Sequence, residues 1–189
     1  VILWGAQAEV GSYPTSYIPT SGSTVTRQAD TANGAGNSEV FNDSEGVLFA
    51  DISALADDGT VRTFSLSSGS SSNSVRFYFS SNNTVNYNVK VGGVNQFTKT
   101  YTLNNQEEFN RILLKYKEND FSLWVNGFEV DTNTSGNTPI GLSEIAFNSG
   151  DDGSAIFYSN TKEIGYYDTA LTDEELETLT SYRSLNELV

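Results

Sequence analysis

Residues 111–130 read RILLKYKENDFSLWVNGFEV. This stretch contains two apolar runs of strand length, and Asn126-Gly127 follows the second run. Asparagine followed by glycine is a preferred sequence for a type I′ turn, because both central positions of that turn need a positive φ. The stretch therefore predicts antiparallel strands that are joined by tight turns.

Similar short apolar stretches recur from Glu45 onward, and turn-forming residues such as those at 80–84 and Gly92-Gly93 separate them. The stretches are GVLFADISAL, VRTFSLSS, SVRFYFSS, TVNYNVKV, RILLKYK, FSLWVNGFEV, LSEIAFNS and AIFYSNTKEIGYYD. This spacing is typical of two antiparallel sheets packed face to face. We therefore predict an all-β fold, a two-sheet antiparallel jelly-roll sandwich with a short C-terminal helix.

The predicted helix begins with a capping box, in which Thr172 is the N-cap and Glu175 follows three residues later. It should run from Asp173 to about Tyr182 and clasp the sandwich. The apolar residues at the staple and stripe positions are Leu171, Leu176 and Leu179.

The first 30 residues differ from the rest in composition. VILWGAQAEV is strand-like, and the next residues hold two of the three prolines among many serines and threonines. We predict that residues 1–30 are a strand and an extended connector from a preceding module, and that residues 31–189 are the jelly-roll domain. The chain holds no methionine, which suggests that the sequence begins inside a longer polypeptide.

Composition excludes several function classes. The chain has no cysteine and no histidine, so it lacks thiolate nucleophiles, imidazole bases and the usual zinc ligands. Its formal charge of −14 repels nucleic acid, and no apolar run is long enough for membrane insertion. The Glu-x-Asp-x-x-Glu pattern of retaining sugar hydrolases on this type of fold is absent from the sequence. We therefore predict a protein that is not an enzyme.

Strand alternation identifies a candidate ligand-binding face. In SVRFYFSS, TVNYNVKV and FSLWVNG, every second residue is apolar, and the alternating residues between them supply aromatic, amide and cationic groups. Such groups suit a sugar, since aromatic rings cover its C–H faces and polar groups bind its hydroxyls. The alternative is that the polar residues face water and the aromatic residues pack under a loop or the terminal helix. The candidate residues are Arg76, Tyr78, Asn86, Asn88, Lys90, Trp124 and Asn126.

Two acidic turns are candidate calcium sites. Asp57 and Asp58 precede one glycine, and Asp151 and Asp152 precede another. Carboxylate oxygens suit calcium when backbone carbonyls complete the shell. The alternative is that these aspartates only favour turn formation.

The stretch from Asn110 to Tyr182 resembles the laminin-G-like, concanavalin A-like superfamily. The resemblance rests on RILLKYKENDFSLWVNGFEV, EIGYYDTAL and LTDEELETLTSY, which stand in the order usual for that superfamily. It implies a jelly roll of two curved sheets, with ligand sites on the concave face or in edge loops, often beside calcium.

The segment LWGAQAEVGSYPTSYIPTSGSTVTRQAD resembles a connector of bacteriophage tail and other virion-surface proteins. It implies a fibre as the parent protein, other modules of that fibre as partners, a homo-oligomer, and a virion-surface or extracellular location.

The leading hypothesis is therefore a non-catalytic carbohydrate-binding adhesion module of a phage tail or similar fibre, which binds a cell-surface or extracellular glycan. One alternative is a structural spacer or oligomerisation module of a virion fibre. Another is an accessory domain of a secreted polysaccharide-degrading enzyme.

Overall fold

A computed structural model describes residues 17–19, 21–26, 35–150 and 154–181. Within these ranges the chain forms ten strands and one helix. They are β1 (Glu45–Ala54), β2 (Arg62–Ser67), β3 (Ser74–Phe79), β4 (Thr84–Val91), β5 (Val94–Thr102), β6 (Asn110–Lys117), β7 (Phe121–Val125), β8 (Phe128–Asn133), β9 (Glu144–Ala146), β10 (Ser159–Tyr167) and α1 (Asp173–Thr180).

The strands form two five-stranded antiparallel sheets. Sheet I has the order β10-β1-β6-β7-β8, and sheet II has the order β5-β4-β3-β2-β9. β1 lies in sheet I while β2 and β3 lie in sheet II, so the chain crosses between the layers as a jelly roll requires. The predicted all-β, two-sheet antiparallel sandwich with a C-terminal helix is confirmed.

The core lies between the two sheets and follows from the alternation of apolar residues. Phe77 on β3 and Leu114 on β6 are fully buried, and each is followed by an outward-facing residue. Most of the buried side chains are aromatic or β-branched, which are the residues that fit a pleated surface. The principal core residues are Leu48, Ile52, Phe64, Leu66, Val75, Phe77, Phe79, Val85, Tyr87, Val89, Ile112, Leu114, Phe121 and Leu123.

Two of the predicted reversals have the backbone geometry that their residues favour. Asn126 and Gly127 both have positive φ, 51° and 88°, and they join β7 to β8. Gly92 and Gly93 join β4 to β5 with φ of 55° and 82°. The predicted reversals at these positions are confirmed.

Helix α1 begins at the predicted residue. The backbone N–H of Thr172 donates to the Glu175 carboxylate at 2.8 Å, and its hydroxyl accepts from the Glu175 N–H, so the capping box is present. Leu176 is fully buried and Leu179 is partly buried. The helix ends at Thr180, which is earlier than predicted. It covers the outer face of sheet I.

Residues Val1–Thr31 and Ala32–Val189 form separate compact units. The sandwich belongs to the second unit. In the first unit the described residues, 17–19 and 21–26, contain no helix or strand. The predicted strand at residues 1–10 lies outside the described residues, and the connector stays a prediction. No helix in the described ranges has the length and apolar character needed to cross a bilayer.

Candidate ligand-binding face

The outer side of sheet II is lined with polar side chains. The inward positions of β3 and β4 are taken by buried apolar residues, so the alternate positions point away from the core. The neighbouring strand β5 adds two threonines on the same side, because Thr98 and Thr100 pair with outward residues of β4. We call this set the polar face; it consists of Arg76, Tyr78, Asn86, Asn88, Lys90, Thr98 and Thr100.

The strand register arranges these side chains in rows across three strands. Arg76 lies opposite Asn88, and Asn88 lies opposite Thr98. In the next row, Tyr78 lies opposite Asn86, which lies opposite Thr100. Since neighbouring strands are about 4.8 Å apart, each row spans roughly 10 Å. The rows therefore place an aromatic ring, a guanidinium and two amides side by side on one rigid surface.

Hydrogen bonds fix the orientation of the polar groups. The Arg76 Nε–H donates to Asn88 Oδ1 at 2.8 Å, and Asn88 itself is only 5% exposed. Asn86 donates from Nδ2 to the Ser80 hydroxyl at 2.8 Å and accepts from the Thr100 hydroxyl. Groups held in this way lose little side-chain entropy when a ligand binds.

A loop segment, residues 147–150, walls the polar face on the β2 side. We call it the covering segment. The Ser65 hydroxyl donates to the Asn148 carbonyl at 2.8 Å, and the Ser67 hydroxyl donates to the Gly150 carbonyl at 3.3 Å. As a result Ser65 and Ser67 are fully buried, although they point away from the core. Thr63, the preceding outward residue of β2, is buried as well, and its backbone N–H donates to the Ala155 carbonyl at 3.0 Å. The exposed part of the polar face is therefore confined to β3, β4 and β5.

The polar face carries two cations in a strongly acidic protein. Arg76 and Lys90 both project from it, whereas the whole chain has a formal charge of −14. Lys90 lies opposite Ser74, one row away from the Arg76 row. Two cationic side chains thus lie on the outer side of sheet II.

The structure separates Trp124 and Asn126 from the other five candidate residues. Trp124 lies on β7 in sheet I, where it is 6% exposed and packs beneath α1 in a cluster that includes Leu113 and Leu176. Its Nε1–H donates to the Ser122 hydroxyl at 3.1 Å. The expectation that Trp124 shares a face with Tyr78 is wrong. Alternation within a strand predicts which side chains point away from the core, but it does not predict to which of the two sheets the strand belongs.

Asn126 also has a structural environment of its own. It lies in the β7–β8 turn, and its Nδ2 donates to Asn110 Oδ1 at 2.9 Å. Its Oδ1 accepts from the Arg111 backbone N–H at 2.9 Å. Asn126 therefore belongs to sheet I, and its expected place on the Tyr78 face is wrong as well. The contacts of both residues are therefore within sheet I and with α1, and neither residue belongs to the polar face.

The Asp57-Asp58 pair is engaged by donors of the protein itself. Asp57 accepts from the backbone N–H groups of Asn82 and Asn83 at 2.7 and 3.1 Å. Asp58 forms a two-point ion pair with Arg62 at 3.0 Å, and this guanidinium holds the pKa of the Asp58 carboxyl well below its usual range. Within the described ranges no three acidic residues are grouped as a metal site would need.

The second predicted calcium pair, Asp151 and Asp152, lies outside the described residues. Calcium at either pair stays a prediction.

Sequence reasoning missed the groups that complete the polar face. Thr98 and Thr100 belong to a Thr-x-Thr-x-Thr alternation ending at Thr102, which was the available indication of a strand with one polar side. The covering segment follows β9, and its position over β2 depends on contacts across 83 residues of sequence. No local pattern identifies such a contact.

Among solved structures, the chain is similar to CBM40 of the Ruminococcus gnavus IT-sialidase. The TM-score is 0.62 at 14% identity, and the match covers 82% of this chain and 96% of the module. The same module has been solved with α2,3-sialyllactose and with α2,6-sialyllactose.

Two further structures have a similar fold. A leech intramolecular trans-sialidase in complex with 2,7-anhydro-Neu5Ac matches with a TM-score of 0.60 at 17% identity, over 82% of this chain and 27% of the leech protein. A heptameric SAP-like pentraxin from Limulus polyphemus matches with a TM-score of 0.59 at 13% identity, over 79% of this chain and 74% of the pentraxin.

The chain thus spans about a quarter of the leech protein's length. No protein-family model and no curated protein sequence matches it significantly. At these identities the similarity establishes the jelly-roll fold.

Proposed function

We propose that this chain is a carbohydrate-binding module and that the polar face of sheet II is its glycan-binding site. The observation that carries the proposal is the row arrangement of Arg76, Tyr78, Asn86 and Asn88 on adjacent strands. The Tyr78 ring is half-buried and offers an apolar surface, while the neighbouring side chains offer oriented donors and acceptors. The fold that the chain shares with CBM40, which has been solved with sialyllactose, supports the proposal.

The charge of the polar face points to an acidic sugar. A guanidinium binds a carboxylate through charge-assisted hydrogen bonds, which are roughly twice as strong as neutral ones. Arg76 and Lys90 supply the positive charge, and Asn88 orients the Arg76 guanidinium at its Nε. A glycan that ends in a carboxylate-bearing sugar, such as sialic acid, is therefore the ligand class we propose.

The second candidate function is an accessory role in a larger glycan-processing protein. It is favoured by the leech structure, of which this chain matches only 27%. Attachment to a phage-tail or other virion fibre rests on the resemblance of residues 3–30 alone, and none of the comparisons supports it. An extracellular location and homo-oligomer formation stay proposals in the same way.

Binding measurements on charge-matched variants test the proposed site. We expect the wild-type chain to bind sialyllactose in a calorimetric titration, and Arg76→Gln to weaken this binding at least tenfold, which is about 1.4 kcal/mol. Lys117→Gln is the control, because it also removes one positive charge but lies on sheet I, where it pairs with Glu45. Tyr78→Ala should weaken binding by a similar factor through loss of ring contact.

Two results would contradict the proposal. One is the absence of binding by the wild-type chain across a broad panel of acidic and neutral glycans. The other is an equal, small effect of Arg76→Gln and Lys117→Gln, since that would show only a weak response to net charge.

A further inference from the structure

Two serines on β2, Ser65 and Ser67, hold the covering segment against sheet II. Ser65 and Ser67 are fully buried although they point outward, and their hydroxyls bond the carbonyls of Asn148 and Gly150. Phe147, at the start of the segment, is anchored among core rings, with its centroid 5.2 Å from that of Phe64. The segment is therefore fixed at its start and along its length.

Gly150 lies closer to β2 than any other residue type could. A Cβ atom at this position would stand 2.7 Å from both Cβ and Oγ of Ser67 and 3.1 Å from Oγ of Ser65. Its φ of +80° is also in the region that favours glycine. Any side chain at position 150 would push the segment away from the sheet.

The covering segment in turn contacts the guanidinium of Arg76. Nη1 of Arg76 donates to the Ser149 carbonyl at 3.4 Å, while Nε donates to Asn88 on the opposite side. Ser149 is itself fixed, because its backbone N–H donates to the Ser154 carbonyl at 3.1 Å. The guanidinium is therefore held between β4 and the covering segment. The position of the covering segment depends in turn on Ser65 and Ser67 of β2.

We propose that Ser65, Ser67 and Gly150 are positioning residues for Arg76. They keep the Ser149 carbonyl where it fixes the plane of the guanidinium, and this orientation gives the polar face its selectivity for a carboxylate-bearing glycan over a neutral one. The selectivity rests on the proposed function, whereas the positioning of Arg76 does not depend on any ligand.

The first experiment needs no ligand. In a ¹⁵N-labelled sample, the Nε–H resonance of Arg76, assigned by its loss in Arg76→Lys, should be sharp and protected from exchange with water in the wild-type chain. We expect Gly150→Ala and Ser65→Ala to broaden it or to raise its exchange rate at least fivefold. Gly59→Ala is the matched control, because Gly59 has a similar φ of +77° but its nearest neighbour would be an ordinary 3.8 Å contact.

The second experiment measures selectivity. The ratio of affinities for 3′-sialyllactose and for its carboxyl methyl ester should fall at least fivefold in Gly150→Ala and Ser65→Ala and stay unchanged in Gly59→Ala. A purely structural loss would weaken both ligands equally and leave the ratio unchanged, which would overturn the positioning role. Unchanged Arg76 resonances in both variants would also overturn it.

The two proposals fail separately. If the wild-type chain bound no glycan while the Arg76 resonance responded as expected, the proposed function would be wrong and the positioning of Arg76 would stand. If the wild-type chain bound sialyllactose and neither Gly150→Ala nor Ser65→Ala altered the resonance or the ratio, only the positioning role would be wrong.

Discussion

Replacement of Trp124 by alanine tests whether sheet I and α1 are structural while the proposed binding face lies on sheet II. Trp124 fills the space between the outer face of sheet I and α1, where it is 6% exposed and packs with Val47, Phe49, Leu113 and Leu176. Truncation of a buried tryptophan costs about 3–5 kcal/mol, since it removes apolar contacts and leaves a cavity. Part of this lost free energy of unfolding should come from weaker packing of α1 on sheet I.

The expected loss is large enough to read from thermal unfolding. For a domain of this size, each kcal/mol shifts Tm by about 2–4 °C, so Trp124→Ala should lower Tm by roughly 6–20 °C. Circular dichroism would follow the transition. At temperatures where the variant is folded, its affinity for sialyllactose should equal that of the wild-type chain, because the polar face lies on sheet II.

Phe128→Ala is the control for the loss of an aromatic ring. Phe128 lies on the neighbouring strand β8 and is 73% exposed, so its removal should change the free energy of unfolding by less than about 0.5 kcal/mol. A Tm for Trp124→Ala within about 2 °C of the wild-type value would refute the packing argument. A folded Trp124→Ala variant that had lost glycan binding would refute the placement of the site.

Three further predictions concern stability. Thr172→Ala removes the capping box of α1 and should cost about 1 kcal/mol in urea unfolding; an unchanged midpoint would mean that the cap is unimportant. Gly46→Ala would place a Cβ 2.7 Å from the Tyr116 hydroxyl, so we expect a loss of about 1–3 kcal/mol, and wild-type stability would show that this site can relax. Because Arg62 lowers the pKa of Asp58, their pair stabilises the fold above the ordinary aspartate pKa of about 3.9 and loses this effect as pH falls below it. Unfolding midpoints measured against pH should therefore fall less steeply in acid for Asp58→Asn than for the wild-type chain, and parallel curves would contradict this.

The fold was predictable because its strands have strong local patterns. Apolar alternation and glycine-rich or asparagine-rich turns mark most of the strands, and the capping box marks the start of α1. Strand β5 was missed because it is an edge strand whose side chains are mostly exposed. Phe97 is its only buried residue. A strand that buries so little has no clear alternation of apolar residues.

The grouping of the candidate residues was predictable only within sheet II. Arg76, Tyr78, Asn86, Asn88 and Lys90 belong to consecutive paired strands, so the pairing follows from the tight turn between β3 and β4. These five residues were therefore correctly expected to lie together. Their role in binding stays a proposal.

The surroundings of Trp124 and the position of the covering segment could not be predicted from the sequence. Alternation places Trp124 outside the core, yet α1 covers it, and β7 belongs to sheet I because its hairpin partner β6 pairs with the distant strand β1. The covering segment reaches β2 through side-chain hydrogen bonds to backbone carbonyls, which any serine can make. Both features depend on tertiary contacts, so one strand's pattern does not specify them.

An NMR titration of the ¹⁵N-labelled chain with 3′-sialyllactose tests directly whether the polar face binds glycan. We expect the chemical-shift changes to concentrate at the outward residues of β3, β4 and β5, with the largest changes near Arg76 and Tyr78, while amides of α1 and of the β7–β8 turn stay unchanged. Changes centred on α1 and sheet I, or no change at millimolar ligand, would contradict the assignment of glycan binding to the polar face.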